Sequence, residues 1–163
     1  MQKSITEVCR LEYYKEVRNY VGHKPLILPG SVVIIVNDKG EILLQERKDH
    51  CWGLPGGLMN LGESLIDTAK REVYEETGLR VDNLVLLDVL SGPQYYFKNP
   101  NGDEVYSVTV VYASADYTGE LKSDMDEGNS LKFCRIHDLP EPMEQEYKDY
   151  INTYIRKYSN AVN

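Results

Sequence analysis

The chain has 163 residues, 42% hydrophobic and 27% charged, a size and balance that fit one soluble domain with a single core and lie outside the signature of disorder. Its 26 acidic residues outnumber 18 basic ones, giving a net charge of −8, and no run of Lys or Arg offers the phosphate-tracking stripe that nucleic-acid binding needs. Three scattered cysteines (Cys9, Cys51, Cys134), an N-terminus without an apolar signal core, and a longest apolar run of only Val32 to Val36 argue against a disulfide framework and a membrane span; reduced thiols and a cytoplasmic location are expected.

Ser4 and Glu7 have the spacing of a capping box, and Ile5, Cys9, Tyr13, Val17 and Val21 then recur at steps of four until Gly22 and Pro25. This predicts an N-terminal amphipathic helix whose apolar face packs on the core, its tyrosines being also a candidate homodimer contact. Residues 26–36 end in a continuous β-branched run, the mark of a central strand buried on both faces. After the turn Asn37–Gly40, the segment Glu41–Arg47 is expected to return as the second strand of a hairpin. A loop from Lys48 to Gly62 contains Gly56 and Gly57. Ser64 caps a helix over 65–77, Asp67 favours its N-terminus, Gly78 stops it, and Leu65, Ile66, Ala69 and Val73 form its apolar stripe. Leu84–Leu90 and Glu104–Tyr117 are strands, the second preceded by the turn Asn99–Gly102, and Leu131–Ile136 is a shorter one. Met143, Tyr147, Ile151 and Ile155 mark a closing helix after Pro140 and Pro142. There is no internal repeat, low-complexity tract or linker.

Within the 65–77 helix, Glu72, Glu75 and Glu76 stand three and four residues apart, so three carboxylates share one surface. Like charges at that spacing repel, and a hard divalent cation such as Mg²⁺, which takes carboxylate and water oxygens and bridges to phosphates, resolves the conflict. The alternative is a solvated, Glu-rich helix face. An acidic protein handling an anionic substrate also needs such a cation between the like charges.

Counting from Gly57, the chain has five residues before Glu63, seven more before Arg71-Glu72-Val73, then Tyr74, Glu75-Glu76, Thr77, Gly78 and Leu79. This segment resembles the Nudix signature at every specified position. The resemblance implies an α/β fold, a mixed β-sheet sandwiched between α-helices, over residues 26–160; the N-terminal helical extension, 1–25, lies outside it. It implies a Mg²⁺-dependent pyrophosphohydrolase (Mn²⁺ as a substitute) in which Glu72, Glu75 and Glu76, with Gly56, hold metal. Glu63 would pair with Arg71 to orient these ligands, and Gly56 and Gly57 would let the backbone approach metal or phosphate. Glu127, in an acidic loop before a late strand, resembles a further family ligand or base. The candidate catalytic carboxylates are Glu72, Glu76 and Glu127, with the general base open between Glu72 and Glu127.

The substrate is less determined. Tyr95, Tyr96, Phe97 and Lys98 cluster aromatics with a cation, which suits either a base and phosphate or a hairpin filling the core. Trp52 either stacks on a ligand or anchors its loop. Some Nudix subfamilies differ at a residue beyond the motif, proline in ADP-ribose hydrolases and tyrosine in dinucleoside polyphosphate hydrolases; Pro93, Tyr95 and Tyr96 all lie near it. ADP-ribose or a nucleotide sugar is the expected substrate, with oxidised nucleoside triphosphates or dinucleoside polyphosphates as the alternative. A non-catalytic nucleotide sensor is the competing class; it usually has a second domain and lacks box glutamates, and this chain keeps them all.

Overall fold

The computed structural model describes residues 13–122 and 130–159. The β-branched run lies in β1 (Leu26–Ile35), between β8 (Glu104–Ser114) and β4 (Gly56–Leu58). β1 pairs in parallel with β8 along its length, from Leu26↔Val105 to Ile35↔Ser114, and antiparallel with β4. On the far side of β8 lie β6 (Val85–Leu90) and β7 (Tyr96–Lys98), both antiparallel to it, so the sheet is mixed. A second sheet holds β2 (Ile42–Glu46) between β10 (Leu131–Cys134) and β3 (Trp52–Gly53), and a third pairs β5 (Arg80–Asp82) with β9 (Asp116–Thr118).

Alternation along β1 explains why its sequence is apolar without a break. Val32 and Ile34 enter one core, with Ile42, Leu44, Leu54 and, from α3 (Gln145–Ser159), Tyr150 and Ile151. Val33 and Ile35 enter another, with Leu43, Leu79 and, from α2 (Leu65–Thr77), Ala69 and Val73. Successive side chains leave a strand on opposite faces, so a strand between two helical layers needs apolar residues at every position. Val33, Ile34 and Ile35 are fully buried, each contributing on the order of 2 kcal/mol.

The α2 helix begins and ends where the sequence places it. Ser64 and Asp67 form a reciprocal capping box, with the Asp67 amide donating to Ser64 Oγ at 3.1 Å and the Ser64 amide to Asp67 Oδ2 at 3.0 Å. Gly78 stops the helix at φ 77°, in the left-handed region where other residues carry a Cβ penalty. Its buried stripe differs from expectation: Ile66 is 45% exposed, while Thr68 and Thr77 are buried. Both threonines can be buried because their hydroxyls are satisfied, Thr68 donating to Glu63 and Ser64, and Thr77 to the Val73 carbonyl at 2.7 Å.

Three other expectations change. The 26–36 and 41–47 strands meet through the single bridge Val36↔Ile42; beyond it β2 leaves for the second sheet, so the hairpin is only a turn. The 104–117 strand breaks at Ala115, which sends β9 to pair with β5, a three-residue strand too short to show in the sequence pattern. The N-terminal helix is described over Tyr13–Val21 (α1), and none of its residues is buried. Polar ties hold it instead: Arg18 donates to the carbonyls of Glu104 (2.8 Å), Lys24 (2.6 Å) and Gly22 (3.0 Å), and the Tyr13 amide to Asn60 Oδ1 (3.3 Å). Ser4, Glu7 and Cys9 lie outside the described residues. Among those described, no helix is long and apolar enough to cross a membrane.

Candidate active site

Arg71, on the α2 face turned toward β4, organises the carboxylates. Its Nε and Nη2 donate to the two oxygens of Glu63 at 2.5 and 3.0 Å, a planar two-point grip that only a guanidinium makes. Nη2 also reaches the Leu58 carbonyl at 2.9 Å, which fixes the strand to the helix. Nη1 donates to Glu72 at 2.6 Å and Glu75 at 3.2 Å, so one cation tethers both carboxylates. Glu63 also accepts from the Asn60 amide and the Thr68 hydroxyl. Together, with the Arg71 hydrogen bonds foremost, they hold its carboxyl at about 2 and raise the guanidinium further above its ordinary value. The expected Glu63–Arg71 pair is therefore present, and mostly buried.

The glycines act through close approach. A Cβ at Gly57 would sit 2.4–2.7 Å from the Glu72 carboxylate, and one at Gly56 would strike the Ser31 carbonyl at 2.3 Å and the Val32 Cα at 2.7 Å. Any larger residue would push Glu72 off the strand or β4 off β1. The Gly56 amide donates to Glu76 Oε2 at 2.8 Å, which brings the β4 backbone and this carboxylate together. Burial pushes the Glu76 carboxyl up to about 7, against the pull of the Gly56 amide and the Gln45 side chain.

These groups suit a hard cation. They comprise three carboxylates on one helical face, one of them, Glu76, largely desolvated, beside glycine backbone. The nearby Gln45 side-chain oxygen is also buried, with no hydrogen-bond partner among the described residues. Oxygen donors without a nitrogen or sulfur ligand match Mg²⁺ or Mn²⁺.

Beside this face opens a 430 Å³ pocket whose lining includes Gln45, Arg47, Asp49, Gly56, Glu76 and Tyr147. Arg47 donates to the Tyr147 hydroxyl at 3.0 Å, and its guanidinium carbon lies 6.0 Å from that ring's centre. A Cβ at Gly53 would meet the Tyr147 ring at 2.8 Å, so the glycine makes room for it. Burial holds the Tyr147 phenol at about 12, protonated at neutral pH. Arg47 and Asp49 also line a 710 Å³ cleft that extends past Leu58 and Phe97 to α1. Glu146, in its wall, is pushed to about 7 by burial and by the neighbouring Glu144.

The proposed substrate residues separate. Tyr96 and Lys98 line the larger cleft, with the Tyr96 hydroxyl donating to Glu104 Oε2 at 2.7 Å, whereas Tyr95 is buried in the core. Trp52 lines neither cavity; it pairs with Glu46, bridges to Met143 and packs on the core, so it anchors its loop. Glu127 lies outside the described residues. Sequence reasoning missed Gln45, Arg47, Glu146 and Tyr147. Tyr147 was visible only as one of a helix's apolar residues, and Arg47 only as the end of a strand.

Comparison with known proteins identifies the family. The family model of the NUDIX domain matches residues 27–154. An ADP-ribose pyrophosphatase of Methanocaldococcus jannaschii is 31% identical over 146 residues, 87% of this chain and 79% of its own. A putative 8-oxo-dGTP diphosphatase of Bacillus subtilis is 32% identical over 126 residues, 77% of this chain and 78% of its own. The crystal structure of a MutT NUDIX hydrolase from Burkholderia pseudomallei superposes with a TM-score of 0.68 at 29% identity, covering 78% of this chain and 98% of that one. The chain belongs to the Nudix family and is a hydrolase acting on phosphoanhydride bonds.

Proposed function

We propose that the protein is a Mg²⁺-dependent pyrophosphohydrolase that cleaves the diphosphate of a nucleoside diphosphate linked to a second moiety, with ADP-ribose or a nucleotide sugar as substrate. The observation that carries this reading is that Glu76 meets Gly56 in the wall of a 430 Å³ pocket, with Glu72 and Glu75 on the same helix, and that this pocket shares Arg47 and Asp49 with a neighbouring 710 Å³ cleft, which gives room for a nucleotide-sized molecule. The 31% identity to an ADP-ribose pyrophosphatase favours that substrate.

In this reading Glu72, Glu75, Glu76 and Gly56 hold the cation, and Arg71, held by Glu63, keeps Glu72 and Glu75 in place without touching substrate. A bound divalent cation supplies charge neutralisation of the diphosphate and lowers the pKa of attacking water. Arg47 faces the same cavity and meets a phosphate of the anionic substrate. Glu72 or Glu127 takes the proton as water attacks one phosphorus; the P–O–P bridge breaks and two phosphomonoesters leave. Tyr96 and Lys98 contact the portion of the substrate that lies beyond the diphosphate.

The 32% identity to a putative 8-oxo-dGTP diphosphatase supports a second reading, hydrolysis of an oxidised nucleoside triphosphate. One panel separates the two: ADP-ribose, nucleotide sugars, dinucleoside polyphosphates and 8-oxo-dGTP, each with Mg²⁺, ranked by kcat/KM. ADP-ribose or a nucleotide sugar should lead. A lead by 8-oxo-dGTP would favour the second reading, and hydrolysis of none, with Glu76→Gln indistinguishable from wild type, would overturn both.

A further inference from the structure

We propose that α1, which lies outside the matched Nudix segment, is a wall of the substrate cleft, and that Tyr14 stacks on the nucleobase. This rests on the reading of the cavity as a nucleotide site and extends it to a specificity-determining residue.

The cleft combines charged, apolar and aromatic groups. At one end Arg47 and Asp49 are shared with the pocket that holds Gly56 and Glu76, which makes this the end suited to phosphates. The rest of the lining mixes the apolar Leu28, Leu58, Phe97 and Val105 with charged groups such as Arg18 and Asp103, and it includes two aromatic rings, Tyr14 on α1 and Tyr96 on β7. A planar base, with two apolar faces and polar edges, can use both kinds of group, and aromatic side chains are the platforms on which bases stack. A volume of 710 Å³ is in the range of pockets that enclose small ligands.

A wall must also be fixed, and α1 is. Arg18 is only 11% exposed and bonds three backbone carbonyls, one of them on β8, while its guanidinium lies 3.6 Å from Asp103. The Tyr13 amide ties the start of α1 to Asn60, in the segment between β4 and α2. The helix buries no residue of its own, so core packing does not explain its position. These ties give it one: they hold Tyr14 at the cleft, with Arg18 as the positioning residue. Tyr20, on the same helix, is 83% exposed and lines neither the pocket nor the cleft, so it serves as an internal control.

The test has two arms. In the first, AMP is titrated into the metal-free protein and binding is followed by calorimetry, with Tyr14→Ala, Tyr14→Phe and Tyr20→Ala alongside wild type. Loss of one base–aromatic stack weakens binding roughly tenfold. Tyr14→Ala should show that loss, Tyr14→Phe should restore most of the affinity because it keeps the ring, and Tyr20→Ala should match wild type. In the second arm Tyr14→Ala should raise KM for the best substrate of the panel by a similar factor, with the smaller effect on kcat. Equal AMP affinity for wild type and Tyr14→Ala, or no AMP binding at all, would overturn the inference. Tyr14-dependent AMP binding without hydrolysis of any panel substrate would instead remove the activity and leave the wall standing.

Discussion

The two sides of the candidate site are built in opposite ways. The carboxylate side is local: Gly57, Glu63, Arg71, Glu72, Glu75 and Glu76 fall within 20 residues, joined by a capped helix and one guanidinium that grips three carboxylates. The opposite side takes Arg47 from just beyond the end of β2, Tyr96 from β7, Tyr147 from α3 and Tyr14 from α1, parts of the chain that meet only in the folded protein. In the proposed reading the helix-borne cation ligands thus come from one continuous segment, and the groups that would meet the rest of the substrate from residues scattered along the chain. Damage should follow the same division: changes on the local side abolish turnover or destabilise the fold, and changes on the assembled side alter KM.

The largest effect is expected from Arg71→Ala. It strands Glu63 in a mostly buried position and releases Glu72 and Glu75, so thermal unfolding should report a loss of about 3 kcal/mol together with loss of activity. Wild-type activity and stability in this variant would break the comparison.

Gly57→Ala should separate chemistry from folding. The new Cβ meets the far end of the Glu72 side chain rather than backbone, so the fold can adjust while the carboxylate moves. Turnover should fall roughly 10²-fold, with the melting temperature little changed; a comparable loss of both would place the glycine in the fold rather than the site.

Acid should act on the same hub. The folded pKa of Glu63 is depressed to about 2, below its ordinary value of 4.5, so its contribution to stability is complete above about 4.5 and is lost as pH falls toward about 2. Melting temperatures across that window should decline less steeply in Glu63→Gln than in wild type, and parallel curves would contradict the assignment.

The smallest effect belongs to the assembled side. Tyr147→Phe removes the hydroxyl that accepts from Arg47 and costs about 1 kcal/mol of positioning. Steady-state kinetics should show KM raised several-fold and kcat nearly unchanged; a collapse of kcat would move Tyr147 to the chemical side.

This division also explains what the sequence made legible. The α2 helix, its caps and the glutamate spacing could be read directly because each depends on neighbours within a few residues, and Ser64, Asp67 and Gly78 do what their chemistry dictates. The central position of β1 was legible from its unbroken apolar run, but its parallel partner β8 begins some distance along the chain and no local pattern names it. The expected hairpin was drawn out by a genuine turn at Asn37–Gly40, although β10 claims β2 beyond it. Trp52 showed the same ambiguity: an aromatic beside a glycine loop suits a ligand or a core, and contact with Met143 decides for the core. Arg47 carried no signal, since a strand-ending arginine becomes a site residue only when Tyr147, a hundred positions later, folds against it.

The central claim is that the carboxylates of α2 hold a divalent cation that makes diphosphate hydrolysis possible. The most direct test follows ADP-ribose by ³¹P NMR while Mg²⁺ is titrated into wild type and Glu76→Gln. The diphosphate resonances should give way to two phosphomonoester signals at a rate that saturates with Mg²⁺, and Glu76→Gln should be slower by roughly 10²-fold or more. Cleavage that is independent of Mg²⁺, or as fast in Glu76→Gln as in wild type, would contradict it.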